Sequence, residues 1–278
     1  MNDEPTGEGH QEFQGFERET PTEEVKKMGI IERIIGIFME PGKTFRSLKA
    51  HPTWLVAFLI SALCVVAITF VHSSRVPHQV RVQAQLDRAM KTAERFTTDE
   101  LRLKAIREEF ERQSQQGESL RQRLTGVGGT TVFLLVIAVL GAALYFVGVI
   151  IMGKRITFKQ ALAVRVYSDL PPYITSSILL IILMYVKSPD DIDPAGPTGL
   201  LTSNLGPLVN RQEHVVLGTI ANNIDVFQIW SLILAIIGLS IMPEKMKRGP
   251  AIGIVVVVWL LGLLLKIGAN VFTGGLGL

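Results

Sequence analysis

The sequence predicts an all-α, polytopic membrane protein. The expected architecture is a bundle of five transmembrane helices, with an extracytoplasmic helical hairpin and an N-terminal interfacial amphipathic helix. Two observations carry this. Five apolar, almost charge-free stretches divide the chain: Thr53–Val71, Gly126–Gly153, Leu170–Val186, Val226–Pro243 and Gly249–Leu265. Each is about 17 residues or longer, near the length a helix needs to cross roughly 30 Å of hydrocarbon. Lysine and arginine crowd the junctions on alternate sides of these stretches, as they do where loop charge sets topology. The 278 residues are 48% hydrophobic with a mean hydropathy of +0.34. A soluble domain can reach that apolar fraction, so contiguity is the deciding signal.

Residues 1–25 are acidic and polar, with no apolar core and no basic leader. They read as a disordered tail and not as a signal peptide, so the first span serves as an uncleaved insertion signal. Residues 26–278 form the membrane domain. Gly29–Glu40 reads GIIERIIGIFME, with Ile30, Ile31, Ile34, Ile35 and Phe38 at helical spacing and Arg33 and Glu40 on the other face. This predicts an amphipathic helix lying in the cytoplasmic interface; the sharper alternative is a docking helix for a cytosolic partner. Pro41 and Gly42 stop it, and Lys43–Lys49 forms a second basic turn carrying Phe45 and Leu48. The first span, 53–71, holds the single cysteine, Cys64, which can form no internal disulfide and reads as a space-filling side chain.

The segment 73–125 is expected outside the membrane as two helices. The first covers 80–95 with Val82, Leu86, Met90 and Ala93 in register; Thr97 to Glu100 has capping-box spacing and starts the second. The apolar stripe is too thin for an independent core, so the hairpin packs on itself, on a loop or on a second copy in a homo-oligomer. The second span, 128–152, offers Ala138, Gly141, Ala142 and Gly148 as a small-residue face for close packing. TFKQALAVRVYSDLPPY, residues 157–173, reads as a basic amphipathic helix running into a proline pair at the mouth of the third span, 170–187. Prolines suit a helix start, and Asp169 is placed to accept bonds from its first amides; a proton- or cation-handling Asp169 is the alternative.

Pro194 and Pro197 mark a turn-rich loop, and the apolar residues of 205–220 predict a short helix on the outer membrane surface. The fourth span, 224–243, opens on Asp225 at a helix amino terminus, with Trp230 a turn and a half deeper as an interfacial anchor. Gln228 brings strong hydrogen-bonding demand into the hydrocarbon, to be met by a neighbouring helix or by a substrate. Lys266, near the outer end of the fifth span, 249–270, is placed to snorkel to the headgroups.

Loop charges orient the bundle. Lys26, Lys27, Arg33, Lys43, Arg46 and Lys49 precede the first span. Lys154, Arg155, Lys159 and Arg165 follow the second, and Lys245, Lys247 and Arg248 follow the fourth. The loop after the third span carries Asp190, Asp191, Asp193 and Glu213. The expected orientation is amino terminus cytoplasmic and carboxyl terminus outside. Arginines in 73–125 oppose it, but that loop is long enough to translocate regardless of charge.

The net charge of +3 is too small for a nucleic-acid binder. The sequence holds no His-Glu-x-x-His, no Gly-x-Ser-x-Gly and no phosphate loop. His72 and His78, without a third positioned ligand, make a weak metal pair. Charged groups are nearly missing from the predicted hydrocarbon zone, which argues against proton pumps and ion channels. No catalytic residue, cofactor or metal is expected. The leading expectation is a non-enzymatic protein that organises or assists other membrane components through contacts with proteins or with the lipid bilayer. The alternative is a transporter or permease subunit for an apolar or lipid-like substrate, lined by Gln228, Asn222 and the glycines of the second span.

Three motifs carry a resemblance. Phe38-x-x-Pro41-x-x-x-Phe45, Tyr167-Ser168-x-Leu170-Pro171 and Asp225-x-Phe227-x-x-Trp230 resemble the pattern of the YIP (Ypt-interacting protein) family, bacterial branch. The likeness covers about residues 35–265 and rests on the order of the motifs. It implies five spans, a cytoplasmic amino terminus and a place in the bacterial cytoplasmic (inner) membrane, with these residues, Asp169 and Gln228 as motif or structural positions. Eukaryotic members imply membrane trafficking and contact with prenylated Rab GTPases. The Asp-Leu-Tyr-Gly-Pro signature of that branch is absent here, which sets the Rab partner aside.

Overall fold

In the computed structural model, residues 28–116, 119–209 and 214–273 are described, and the expected tail at 1–25 lies outside them. Among the described residues there are ten α-helices and no strand. They are α1 (Ile30–Met39), α2 (Pro41–Ala50), α3 (Leu55–Arg75), α4 (His78–Phe96), α5 (Glu100–Gln116), α6 (Leu120–Ile151), α7 (Phe158–Val186), α8 (Val215–Asn223), α9 (Val226–Ile241) and α10 (Arg248–Thr273). Of these, α3, α6, α7 and α10 are long and apolar enough to cross a membrane. The fifth apolar helix, α9, has 16 residues, or about 24 Å at 1.5 Å per residue, short of a full crossing.

α7 stands at the centre, packed on α3, α6 and α9, with Ala161, Val164, Tyr167 and Leu170 buried in the main core. It corrects the expected helix start at the proline pair. Pro171 and Pro172 lie inside one continuous helix, whose start is set upstream by a capping box. The Gln160 amide donates to Thr157 Oγ1 (3.2 Å), and the Thr157 amide donates to Gln160 Oε1 (2.9 Å). An interior proline removes one helical donor and crowds the carbonyl four residues back; membrane bundles tolerate this where neighbouring helices re-satisfy the backbone. Asp169 therefore caps nothing.

At one end of the bundle α1 and α2 form a foot. The expected faces of α1 are reversed at Arg33, which is 3% exposed. It donates to Thr53 Oγ1 (2.6 Å), the His51 carbonyl (3.2 Å) and Ser47 Oγ (3.4 Å). The turn at Pro41 folds α2 back against α1, so the cation is consumed inside the foot. Ile37 is fully buried, while Ile30, Ile31, Ile35 and Met39 face outward. Phe38 meets Trp230 of α9 edge-to-face, ring centroids 5.9 Å apart, and Phe45 is fully buried. A Cβ on Gly238 would lie 3.0 Å from the Phe45 ring, so glycine is what lets α9 approach α2 there.

At the other end α4 and α5 pack on each other with Val82 and Leu86 buried. The cap of α5 is Asp99, whose carboxylate accepts from the Leu101 amide (3.0 Å), while Thr97 Oγ1 accepts from the Asp99 amide (3.1 Å); the expected Thr97 box is displaced by this Asx turn. Phe96 stacks on Phe272 of α10 at 4.5 Å, so the hairpin lies back across the bundle end. His72 and His78 each bond a backbone carbonyl, of Asp193 and Gln113. α6 begins at Leu120, capped by Ser119 and Gln122, which carries Arg121 and Arg123 onto the helix.

The segment before α9 also departs from expectation. Gly206–Leu208 is a short 3-10 turn, and the helix starts only at Val215. α8 is tied to α10: Asn270 Nδ2 donates to Thr219 Oγ1 (3.1 Å) and Lys266 Nζ to Asn223 Oδ1 (2.7 Å). α10 packs along α9 and α8 in turn, so α8 and α9 together make a broken helix, interrupted between Asn223 and Val226.

Candidate functional site

The break is built from local chemistry. Asp225 starts α9 by accepting from the amides of Phe227 (2.7 Å) and Gln228 (3.3 Å). Its other carboxylate oxygen accepts from the Ser203 hydroxyl. The Val226 amide donates to the Ser203 carbonyl (3.1 Å), and the Leu205 amide to the Ala221 carbonyl (3.1 Å). The strap 203–205 thus satisfies backbone groups that the break frees, as backbone polar groups shielded from water require. Asp225→Ala is expected to cost about 1 kcal/mol through loss of the cap, read as a lower unfolding temperature in detergent. Asp225→Asn keeps most of the stability, since asparagine also caps.

Across from the break, Arg165 and Asp169 form an ion pair on α7. Arg165 Nη2 lies 3.1 Å from Asp169 Oδ2, with the two side chains 22% and 18% exposed. The Ser231 hydroxyl of α9 donates to Asp169 Oδ1. On the α6 side, buried Tyr145 stands beside Arg165. Gly141 makes the room: a Cβ there would sit 2.9 Å from Arg165 Nε, an atom buried without a partner. Gly141 is about ten residues, or roughly 15 Å, from the end of α6, and Ser231 is equally far from the end of α9. The pair therefore lies inside the bundle, more than a helical turn from either end of α6, α7 and α9. This corrects the expectation that the hydrocarbon zone lacks buried charge. Arg165 is part of the core and no loop residue.

Between pair and break lies a polar cavity of about 260 Å³ lined by Arg165, Asp169, Tyr173, Asn222, Gln228 and Lys266, among others. Water takes about 30 Å³ per molecule in the liquid, so the space suits several waters or one small polar group. Among the described residues no cluster of three or more His, Cys, Asp or Glu is placed to hold a metal.

The motif residues fall into two places. Phe38, Phe45, Tyr167, Leu170 and Trp230 belong to or pack around the core that joins the foot to α7 and α9, with Pro41 opening α2 and Ser168 and Pro171 buried in α7. Asp169, Asp225, Phe227 and Gln228 line the cavity. Gln228 forms no side-chain hydrogen bond among the described residues. Sequence reasoning misses Arg165, Tyr173 and Ser231 as site residues. The i, i+4 spacing of Arg165 and Asp169 carries a signal for the pair, but reading Pro171 as a helix start hides it.

The Yip1 domain family model matches residues 35–268. The chain belongs to the Yip1 domain family. The match takes in most of the foot, the ion pair, the helix break and Lys266, so the cavity lies within the matched residues. No curated protein and no solved structure matches the chain.

Proposed function

We propose that this Yip1 domain protein is a non-enzymatic, multi-pass component of a bacterial cytoplasmic membrane that organises or assists other membrane components through protein–protein and protein–lipid contacts. Its amino terminus is cytoplasmic and its carboxyl terminus outside. The observation that supports this reading most is the foot. Arg33 and Phe38 fasten α1 to the bundle, and α1 still turns Ile30, Ile31, Ile35 and Met39 outward. A rigidly held apolar face beside basic residues such as Lys43 suits contact with a membrane or a membrane-bound partner. A photo-crosslinking residue in place of Ile31, activated in intact membranes, is expected to give discrete lipid or protein adducts. Recovery of the unmodified chain alone would sink the reading. In a Cys64→Ala background, an impermeant thiol reagent added outside should label Gln115→Cys and spare Lys245→Cys; the reverse pattern overturns the orientation.

A second reading, a transporter or permease subunit for a lipid-like substrate, is favoured by the cavity. Broken helices and polar groups near mid-bundle are how many transporters build their sites. Reaction of Ser231→Cys with a small water-soluble thiol reagent supports this reading; complete protection rejects it.

A further inference from the structure

The charge pairing of the cavity is one-sided. Both carboxylates already have partners: Asp169 has Arg165 and Ser231, Asp225 has two amides and Ser203. The Asn223 amide oxygen is taken by Lys266. Donors remain. The Lys266 ammonium has three N–H groups, donates one to Asn223, and forms no ion pair among the described residues. The amides of Gln228 and Asn222 line the same space. An entering cation would have to compete with Arg165 for Asp169, whereas an anion would meet an ammonium that has no countercharge among the described residues and the N–H groups of two amides, whose oxygens would serve its own donors.

The position of Lys266 narrows the anion. It lies about 27 Å along α10 from Arg248, close to the far edge of a hydrocarbon layer roughly 30 Å thick. Its chain neighbours Leu264 and Leu265 are 62% and 76% exposed, and Val226 at the start of α9 is 64% exposed. The cation therefore stands at headgroup depth among side chains suited to acyl chains. Its bond to Asn223 ties it to the rim of the cavity, where a freely snorkelling lysine would be unconstrained.

We propose that this cavity binds the phosphate of a phospholipid from the leaflet opposite the foot, with Lys266 as its cation and Gln228 as a second donor. The inference stands apart from the contacts assigned to the foot: absence of adducts at Ile31 leaves it intact.

The test is native mass spectrometry of the full chain in detergent, titrated with phosphatidylglycerol or with diacylglycerol of the same chains. Phosphatidylglycerol is expected to bind about tenfold more tightly, the worth of one charge-assisted hydrogen bond. Lys266→Gln should remove that preference and leave diacylglycerol unchanged, and Lys266→Arg should keep most of it. Gln228→Leu should weaken phosphatidylglycerol binding severalfold, and it carries the test if Lys266→Gln fails to fold. Equal affinity for the two lipids, or an unchanged preference in Lys266→Gln, overturns the proposal. No effect of Gln228→Leu overturns it too, because the lysine would then meet headgroups only at the surface. Displacement of the lipid by glycerol phosphate at equal concentration would place the ligand in solution and overturn the lipid assignment.

Discussion

Asp169→Ala is expected to destabilise the protein by about 3 kcal/mol, the largest effect of any single side chain at the cavity. Its removal leaves the Arg165 guanidinium partly buried beside Tyr145 and Gly141 with no countercharge. Breaking one side of a buried pair costs roughly 3–5 kcal/mol, because the survivor keeps its desolvation cost. The exposure of the two side chains, 22% and 18%, sets the expectation at the lower end. Unfolding in mixed micelles at increasing dodecyl sulfate should show a clear shift of the midpoint. Asp169→Asn keeps an acceptor for Ser231 and should fall between. The double variant Arg165→Leu with Asp169→Leu is expected to recover to within about 1 kcal/mol of the parent, since apolar replacement of a whole buried pair is often neutral. A midpoint unmoved by Asp169→Ala would mean that water screens the pair.

Arg33→Ala is expected to cost about 2–3 kcal/mol and to release α1. The guanidinium serves three acceptors at once, and hydrogen bonds to a charged group contribute roughly 1.5–3 kcal/mol each at most. Ser47 Oγ keeps the Met28 amide as a donor at 3.2 Å, which limits the loss. Arg33→Lys should rescue only part, because a single ammonium cannot reproduce the planar fork across separate acceptors. An environment-sensitive fluorophore at Ile31 should report a mobile helix in Arg33→Ala. Unchanged anisotropy would show that Phe38 and Ile37 alone hold the foot.

These two positions also mark where reading along the chain stops short. Arg33 follows the amphipathic pattern of α1 faithfully, yet its destination depends on α2 folding back at Pro41, a contact between segments that periodicity does not encode. Arg165 falls among cytoplasmic loop charges when Pro171 is read as a helix start. A proline pair inside a helix is tolerable only because neighbours surround it, and the neighbours are not visible in one segment. Asp225 was legible as a cap, since an aspartate before an apolar run is a local signal. That it also ends a broken span and faces Asp169 across a cavity was not, because the partners Ser203 and Ser231 reach these carboxylates from other segments.

By itself the sequence determined the solvent and the class of the fold. Contiguous apolar runs and their flanking charges are properties of the chain, and a bilayer reads them one segment at a time. Tertiary structure alone decided which charges were spent and which were left over. Arg33 was consumed within the foot, Arg165 was neutralised inside the bundle, and Lys266 was left at the rim bonded to an amide oxygen and to no carboxylate among the described residues. The reason is physical: whether a polar group is satisfied depends on what packing brings within about 3 Å of it, and here the partners come from distant segments.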